Sequence, residues 1–510
     1  MSETPPPEQT SLPARTPRPA RHTGSLMLAR ALVRQAERAM VRASDAPLVR
    51  GNSAHLLVDG PRAFRAWLDA IGRAEQWIHL ENYIIRDDRT GRYFRDALIE
   101  KANEGVRVRV LYDWLGCWAT PKRFWRPLRD AGAEVRAFAP ISLSDPLNWL
   151  RRDHRKVLAV DGGYASVAGM CIGDEWAGDP EAGVPPWRDT GVELRGPVAA
   201  VIDRAFARSW AAAGERLPLE EIPDPEFIER AGDVSVRVVE GEPGRSRIYR
   251  LSQFVAVGVE RRLWITDPYF VTPPAITEAF AAAARDGVDV RIIVPAFNNW
   301  PLVGGFSRAG YRPLLEAGVR LFEWEGPMIH AKTAVADSVW TRVGSSNLNL
   351  ASLLGNWELD VAILDREVAQ EMEELFLRDM QSSVEVVVRP TRGRGHRFLQ
   401  REPVLEQRAH TAAEVEEARA ARARAPRGRP VGRLLGRAAR AGSVLGRALV
   451  GERIVGREDS GWIGFLALLI IALAALGFLA PRVLAWPLAF LLFWLGIAGL
   501  FRAWPRDRGG

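Results

Sequence analysis

From Leu56 onward the apolar positions switch repeatedly between a period of two and a period near 3.6, which predicts alternating strands and amphipathic helices. The pattern gives a strand near 55–58, a helix over 61–73, a strand over 77–83 and a helix over 91–104. Val106-Arg-Val-Arg-Val-Leu111 reads as a further strand, followed by a helix over 122–131 and a strand over 134–138. The same order then recurs. Trp264-Ile-Thr-Asp-Pro-Tyr-Phe270 answers Trp77-Ile-His-Leu-Glu-Asn-Tyr83, and Gly287-Val-Asp-Val-Arg-Ile-Ile-Val294 answers Gly105-Val-Arg-Val-Arg-Val-Leu111. Glu316-Ala-Gly-Val-Arg320 answers Asp130-Ala-Gly-Ala-Glu134.

A repeat of roughly 180 residues is too long for a solenoid and points to a duplicated domain. The expected fold is α/β: two duplicated lobes, each a mixed sheet flanked by helices. The lobes are expected over 51–216 and 233–390, joined by the Pro-rich linker 217–232. Residues 1–25 read as a disordered tail, and 26–50 as an N-terminal helix for docking or for a membrane surface. After residue 390 the character changes. Residues 391–460 form a basic, Arg-rich linker in which 431–450 has the spacing of an amphipathic helix for anionic lipid. Residues 461–502 read as a C-terminal transmembrane helical hairpin. It is made of two uncharged runs, 462–480 and 483–501, each spanning ~28 Å as a helix. Arginines crowd both outer ends of the hairpin, so both ends are expected in the cytoplasm.

Within each lobe one apolar strand carries a polar signature. His154-Arg-Lys156-Val-Leu-Ala-Val-Asp161 and His330-Ala-Lys332-Thr-Ala-Val-Ala-Asp337 both read H-x-K-x4-D. Residues i and i+2 of a strand share a face, so each His and Lys would point into one site. An imidazole beside an ammonium group suits phosphoryl chemistry, the first to attack or move a proton and the second to hold phosphate oxygens. Composition sharpens the reading. Of 69 Lys and Arg only Lys101, Lys122, Lys156 and Lys332 are lysine, and there are seven histidines in all. Two of the four lysines stand two residues after a histidine, which marks places where a compact charge is wanted. Asp161 and Asp337 lie five residues beyond the lysines, over ~16 Å at ~3.3 Å per residue. They are expected to close the turns after their strands. On the residues alone the two histidines are interchangeable.

The paired motifs, with Gly344-Ser345-Ser346-Asn347 after the second, resemble the HKD signature of the phospholipase D superfamily. The run from Gly344 to Glu358, with Glu81-Asn-Tyr83, Trp187-Arg-Asp-Thr190 and Asp267-Pro-Tyr-Phe270, resembles the bacterial cardiolipin synthases more narrowly. The resemblance implies transfer of a phosphatidyl group between phosphatidylglycerol molecules, giving cardiolipin and glycerol through a phosphohistidine, with no cofactor and no metal. It makes His154 the nucleophile and His330 the acid/base, with Lys156 and Lys332 on the phosphate and Asp161 and Asp337 completing the signatures. Asp189 is expected to orient His154 and Glu358 to orient His330, while Ser345 and Asn347 donate to the phosphate. One position departs from the pattern: Cys171 stands where the first motif should supply asparagine. Alternatives are a phospholipase D hydrolase, a transphosphatidylase with another alcohol, and a non-catalytic membrane-binding protein.

A net charge of +7 and a pI near 9.7 call for an anionic partner. The apolar hairpin selects phospholipids and an anionic membrane surface over nucleic acid. Cys117 and Cys171 give neither a disulfide framework nor zinc spacing. With no cleavable leader read at the N-terminus, the catalytic lobes are expected on the cytoplasmic face of a bacterial inner membrane.

Overall fold

The computed structural model describes residues 35–141, 151–390 and 397–403. The first lobe contains β1 (Val49–Val58), β2 (Trp77–Asn82), β3 (Arg107–Asp113), β4 (Glu134–Phe138), β5 (Arg152–Asp153), β6 (Lys156–Val160), β7 (Tyr164–Ala168) and β8 (Thr190–Arg195). The second contains β9 (Val234–Gly241), β10 (Arg262–Thr266), β11 (Asp289–Pro295), β12 (Arg320–Trp324), β13 (Thr333–Ala336), β14 (Trp340–Gly344), β15 (Asn356–Leu364), β16 (Ser383–Pro390) and β17 (Arg397–Pro403).

The strand order is the same in both lobes. In the first it is β4-β3-β2-β6-β7-β8-β1, parallel as far as β2 and antiparallel beyond it. In the second it is β12-β11-β10-β13-β14-β15-β9, with the same change of direction after β10. The two sheets meet where β1 pairs with β9. Strands β2, β6, β7, β13 and β14 are buried along their whole length, which explains why β6, β7 and β13 run nearly apolar instead of alternating.

One core serves both halves. Leu56, Val157, Val192 and Leu194 of the first lobe pack in the same cluster as Val335, Val343, Leu359 and Val361 of the second. The helices Pro197–Ala212 and Arg366–Gln381 supply Val198, Ile202, Met372 and Phe376 to it, and each packs on β1. The described part of the N-terminal helix, residues 35–44, docks on the second lobe: Glu37 pairs with the buried Arg237 at 2.5 Å.

Three expectations need correction. Leu263 opposes Ala336 as Ile78 opposes Val160, so Trp264 corresponds to His79 and not to Trp77. The shared Trp-Ile dipeptide misaligns the repeats by two residues, an even shift that keeps the buried faces in phase. Strand β17 pairs along β16, so the sheet extends to 403, beyond the expected lobe boundary at 390; its sequence, with Phe398 and Leu399 adjacent among Arg, Gln and Glu, shows no strand alternation. The linker also folds locally: Leu219–Glu221 and Pro225–Phe227 are short 3-10 turns, and the buried Glu221 receives Arg109 at 2.8 Å and His79 at 3.2 Å. Among the described residues no helix is long and apolar enough to cross a membrane. The expected hairpin and the Arg-rich segment beyond 403 lie outside the described residues.

The motif aspartates close their turns in matching ways. Asp161 and Asp337 follow β6 and β13 with φ of 50° and 51°, a conformation that aspartate tolerates better than most residues. The Asp161 carboxylate accepts from the backbone N–H groups of Glu75, Gln76 and Trp77 at 2.8–2.9 Å. Asp337 does the same for Glu260, Arg261 and Arg262 at 2.7–3.0 Å. Each clamps the turn after a motif strand to the start of the neighbouring antiparallel strand. Asp161→Ala and Asp337→Ala are each expected to lower stability by roughly 1–3 kcal/mol. In urea melts the midpoint should fall while the slope stays the same.

Candidate active site

Each histidine sits just ahead of its motif strand, on a segment hydrogen-bonded into the opposite lobe. β5 runs parallel to the start of β15, with Arg152 opposite Asn356 and Asp153 opposite Trp357; the His154 N–H donates to the Trp357 carbonyl at 2.8 Å. The second lobe repeats this. Arg188 bridges to Ile329 in parallel, and the His330 N–H donates to the Arg188 carbonyl at 2.7 Å. The next residue along each guest segment is therefore a carboxylate beside the other lobe's histidine.

The orienting pairs are crossed. His154 Nδ1 lies 3.1 Å from Glu358 Oε2 and 3.1 Å from the Ser345 carbonyl, while His330 Nδ1 lies 2.8 Å from Asp189 Oδ2. This corrects the within-lobe assignment of Asp189 to His154 and Glu358 to His330. The resemblance implies the within-lobe pairing, whereas the strand exchange between lobes sets the crossed one. Both partners of His154 Nδ1 are acceptors, so that nitrogen holds the ring proton and Nε2 keeps its lone pair, while at His330 the Asp189 carboxylate accepts from Nδ1.

The carboxylates are themselves fixed. Trp176 Nε1 donates to Asp189 Oδ2 at 3.1 Å and the Thr190 N–H to Oδ1 at 2.8 Å. A Cβ at position 169 would stand 2.3 Å from Asp189 Oδ1, so glycine is required there. Glu358 accepts from Ser345 Oγ at 2.5 Å and from Asn356 Nδ2 at 3.2 Å. The Ser345 hydroxyl, expected to face the phosphate, donates to Glu358 in this structure. Asn347 bonds Ser352 at 3.3 Å through Nδ2, and its buried Oδ1 has no partner. Arg188 was not singled out by sequence, yet it ties the crossing strand down. Its guanidinium forms a bidentate pair with Asp379 at 2.9 and 2.8 Å and donates to Thr190 Oγ1 at 2.9 Å.

All four motif side chains are buried, His154 being the most exposed at 9 %. Lys156 Nζ donates to the His154 carbonyl, and Lys332 Nζ donates to the His330 carbonyl. Lys332 Nζ also stands 2.8 and 3.0 Å from the two His330 ring nitrogens. Burial lowers the pKa of His154, with the two lysines adding to the effect against the pull of Glu358. Burial and then Lys332 push His330 down to about 3. Lys332 is pushed down to about 8 by burial, against the pull of Asp189. Burial would raise Asp189 and Glu358, but the cations and hydrogen bonds around them prevail and hold both carboxyls below their usual range. Lys156 acts on His330 and Lys332 acts on His154, so the four residues share one electrostatic site.

Aromatic edges complete the walls. Tyr83 meets the His154 ring at 4.8 Å between centroids, and Tyr269 meets His330 at 5.8 Å, both edge-on. Cys171 is buried, and burial pushes its thiol pKa up, so it contributes a small neutral surface near the lysines. Both tyrosines lie in stretches that carried the sequence resemblance, but nothing in their spacing announces a ring contact.

Comparison with known proteins agrees with this geometry. Residues 259–380 match the family model described as "Cardiolipin synthase, PLD-like domain". The chain is 35% identical to cardiolipin synthase A of Pseudomonas syringae pv. syringae over 344 residues, 66% of this chain and 70% of that one. It is 34% identical to the cardiolipin synthase of Geobacillus thermodenitrificans over 332 residues, 64% of this chain. The match spans 66% of that relative, slightly under two thirds of its length. The crystal structure of the phosphatidylserine synthase of Haemophilus influenzae Rd KW20 has the same fold, with a TM-score of 0.53 at 15% identity over 68% of this chain and 91% of that one. With two matching lobes around one paired His and Lys site, the chain belongs to the cardiolipin synthase family, which has a phospholipase D-like domain.

Proposed function

We propose that the chain is a phosphatidyltransferase that joins two phosphatidylglycerol molecules into cardiolipin and releases glycerol. The observation that carries this reading is the crossed pairing: two histidines, each held at Nδ1 by the other lobe's carboxylate, each with a buried lysine two residues on. The curated relatives named as cardiolipin synthases support the substrate class.

In the proposed reaction His154 Nε2 attacks phosphorus and the P–O bond to the glycerol headgroup breaks. A protonated His330 gives its proton to the departing oxygen. His330 then takes the proton from a hydroxyl of the second phosphatidylglycerol, whose oxygen displaces His154 from phosphorus. Burial and then Lys332 keep His330 neutral, and the anionic phosphate offsets the lysine charge as it enters, so His330 gains its proton where it is needed. The short contact to Asp189 then stabilises the imidazolium. Lys156, Lys332 and the Asn347 amide are the proposed phosphate contacts.

The hairpin at 461–502 is proposed to hold the lobes at the cytoplasmic face of the membrane. Its two uncharged runs and flanking arginines support this, and the basic segment before it adds attraction to anionic lipid.

Mass spectrometry of products from isotope-labelled phosphatidylglycerol tests the reaction. Cardiolipin and free glycerol are expected, and His154→Ala and His330→Ala should each lower turnover by about 10³-fold or more. Phosphatidic acid as the main product would make the chain a hydrolase, and near-parental activity in either variant would remove the two-histidine scheme.

The pH profile follows from the charges. Lys332 must be protonated to hold phosphate, so kcat/KM should fall as pH rises through about 8. Binding of the anionic substrate favours the charged ammonium, so the corresponding limb in kcat should move to higher pH. A kcat/KM that stays flat to pH 10 would remove Lys332 from the phosphate.

The anchor is tested by alkaline carbonate extraction. The full chain should stay with the membrane pellet, and a chain ending before Trp462 should be released. Release of both would mean that no hairpin is inserted.

A further inference from the structure

Each lobe carries an exposed apolar pair at the same place, just past its second parallel strand. Leu115 and Trp118 stand two and five residues beyond the end of β3; Phe297 and Trp300 stand two and five residues beyond the end of β11. The tryptophans are 75% and 65% exposed and Phe297 is 74% exposed. A lone exposed apolar residue needs no explanation, but the same pair in both lobes is a different matter.

Both loops are attached to the site. Gly116 packs so tightly on Tyr83 that a Cβ there would come within 2.0 Å of its carbonyl, and Cys117 Sγ contacts that carbonyl at 3.6 Å. In the second lobe the Tyr269 hydroxyl donates to Asn299 at 2.9 Å. Tyr83 and Tyr269 are the rings that meet His154 and His330 edge-on. The two exposed tryptophans therefore project from loops built on the two walls of the same site. The helix Lys122–Asp130 adds exposed Lys122, Arg123 and Arg126 beside the first pair.

We infer that Leu115, Trp118, Phe297 and Trp300 form a split rim that enters the interface of an anionic phospholipid bilayer and seats the catalytic site on it. The inference rests on the phosphatidyl-transfer reading. Bilayer lipid is the occupant that fits. Indole and phenyl rings favour the headgroup boundary, cations beside them meet anionic headgroups, and histidines this deeply buried need the lipid phosphate delivered from directly above. The duplication places one insertion on each side of the site, which fixes its tilt.

The test uses the full-length chain reconstituted in vesicles of equal parts phosphatidylglycerol and phosphatidylethanolamine. An environment-sensitive fluorophore is placed at Trp118→Cys, at Trp300→Cys, and at Arg73→Cys as a control. Cys117 and Cys171 are buried, so neither competes for the label. Arg73 is exposed and precedes β2, at the other end of the sheet. Labels at 118 and 300 should be blue-shifted and shielded from iodide, and the label at 73 should be quenched. In parallel, a Trp118→Ser/Trp300→Ser double variant should show about a tenfold or larger rise in KM on vesicles. Its turnover of monomeric short-chain phosphatidylglycerol should stay within about twofold. Iodide quenching at 118 and 300 equal to that at 73 would overturn the inference. Failure of the unaltered chain to turn over phosphatidylglycerol would instead remove the functional reading, and the label data would still decide whether the rim enters the bilayer.

Discussion

Everything in the site depends on the exchange of carboxylates between the lobes. A buried imidazole is useful only if its tautomer and ring angle are fixed, and here the group that fixes each one comes from the other half of the chain. The exchange is a backbone feature before it is a side-chain one. Two short parallel pairings, Asp153–Trp357 and Arg188–Ile329, bring each guest strand alongside a histidine and leave the next side chain facing Nδ1. Arg188 then locks one crossing with its bidentate grip on Asp379, and Arg155 locks the other by donating to the Glu358 carbonyl at 3.1 Å.

The charge balance follows from that geometry. Burial presses the Lys332 ammonium towards losing its proton, Asp189 pulls the other way, and the neighbouring Lys156 adds to the pressure. Removing one partner from such a set leaves its neighbour charged, buried and unpaired, which is the costly outcome. In the second lobe burial and then Lys332 push His330 down to about 3, while in the first burial lowers His154 against the pull of Glu358. The halves are duplicated in backbone but unequal in electrostatics. Arg155 follows the histidine in the first motif and pairs with Glu240 at 3.2 Å, where the second motif has Ala331.

Much of this was legible in the chain because it depends on local spacing. The His154–Lys156 and His330–Lys332 steps, the apolar strands behind them and the turn-closing aspartates could all be read directly. What could not be read depends on contacts far apart in sequence. Nothing near Glu358 says that it serves His154, about two hundred positions away, because that choice is made by β5 lying beside β15. Ser345 looked like a phosphate donor because hydroxyls near such motifs often are; its partner is a carboxylate that only the fold brings within reach. The two-residue slip between Trp77 and Trp264 has a similar origin. A strand buried on both faces constrains size and polarity, and matching letters can fall one pleat out of place.

The shared core bears on how the protein loses activity. Because Val192 and Val361 sit in one cluster, and each histidine is steadied from across the boundary, the lobes have little scope to open separately. Partial unfolding of either half strips the other of its carboxylate and of part of its interior at once. Duplication often yields modules that can fail one at a time; strand exchange has made these two into a single cooperative unit, for which breathing, inactivation and proteolysis share one threshold.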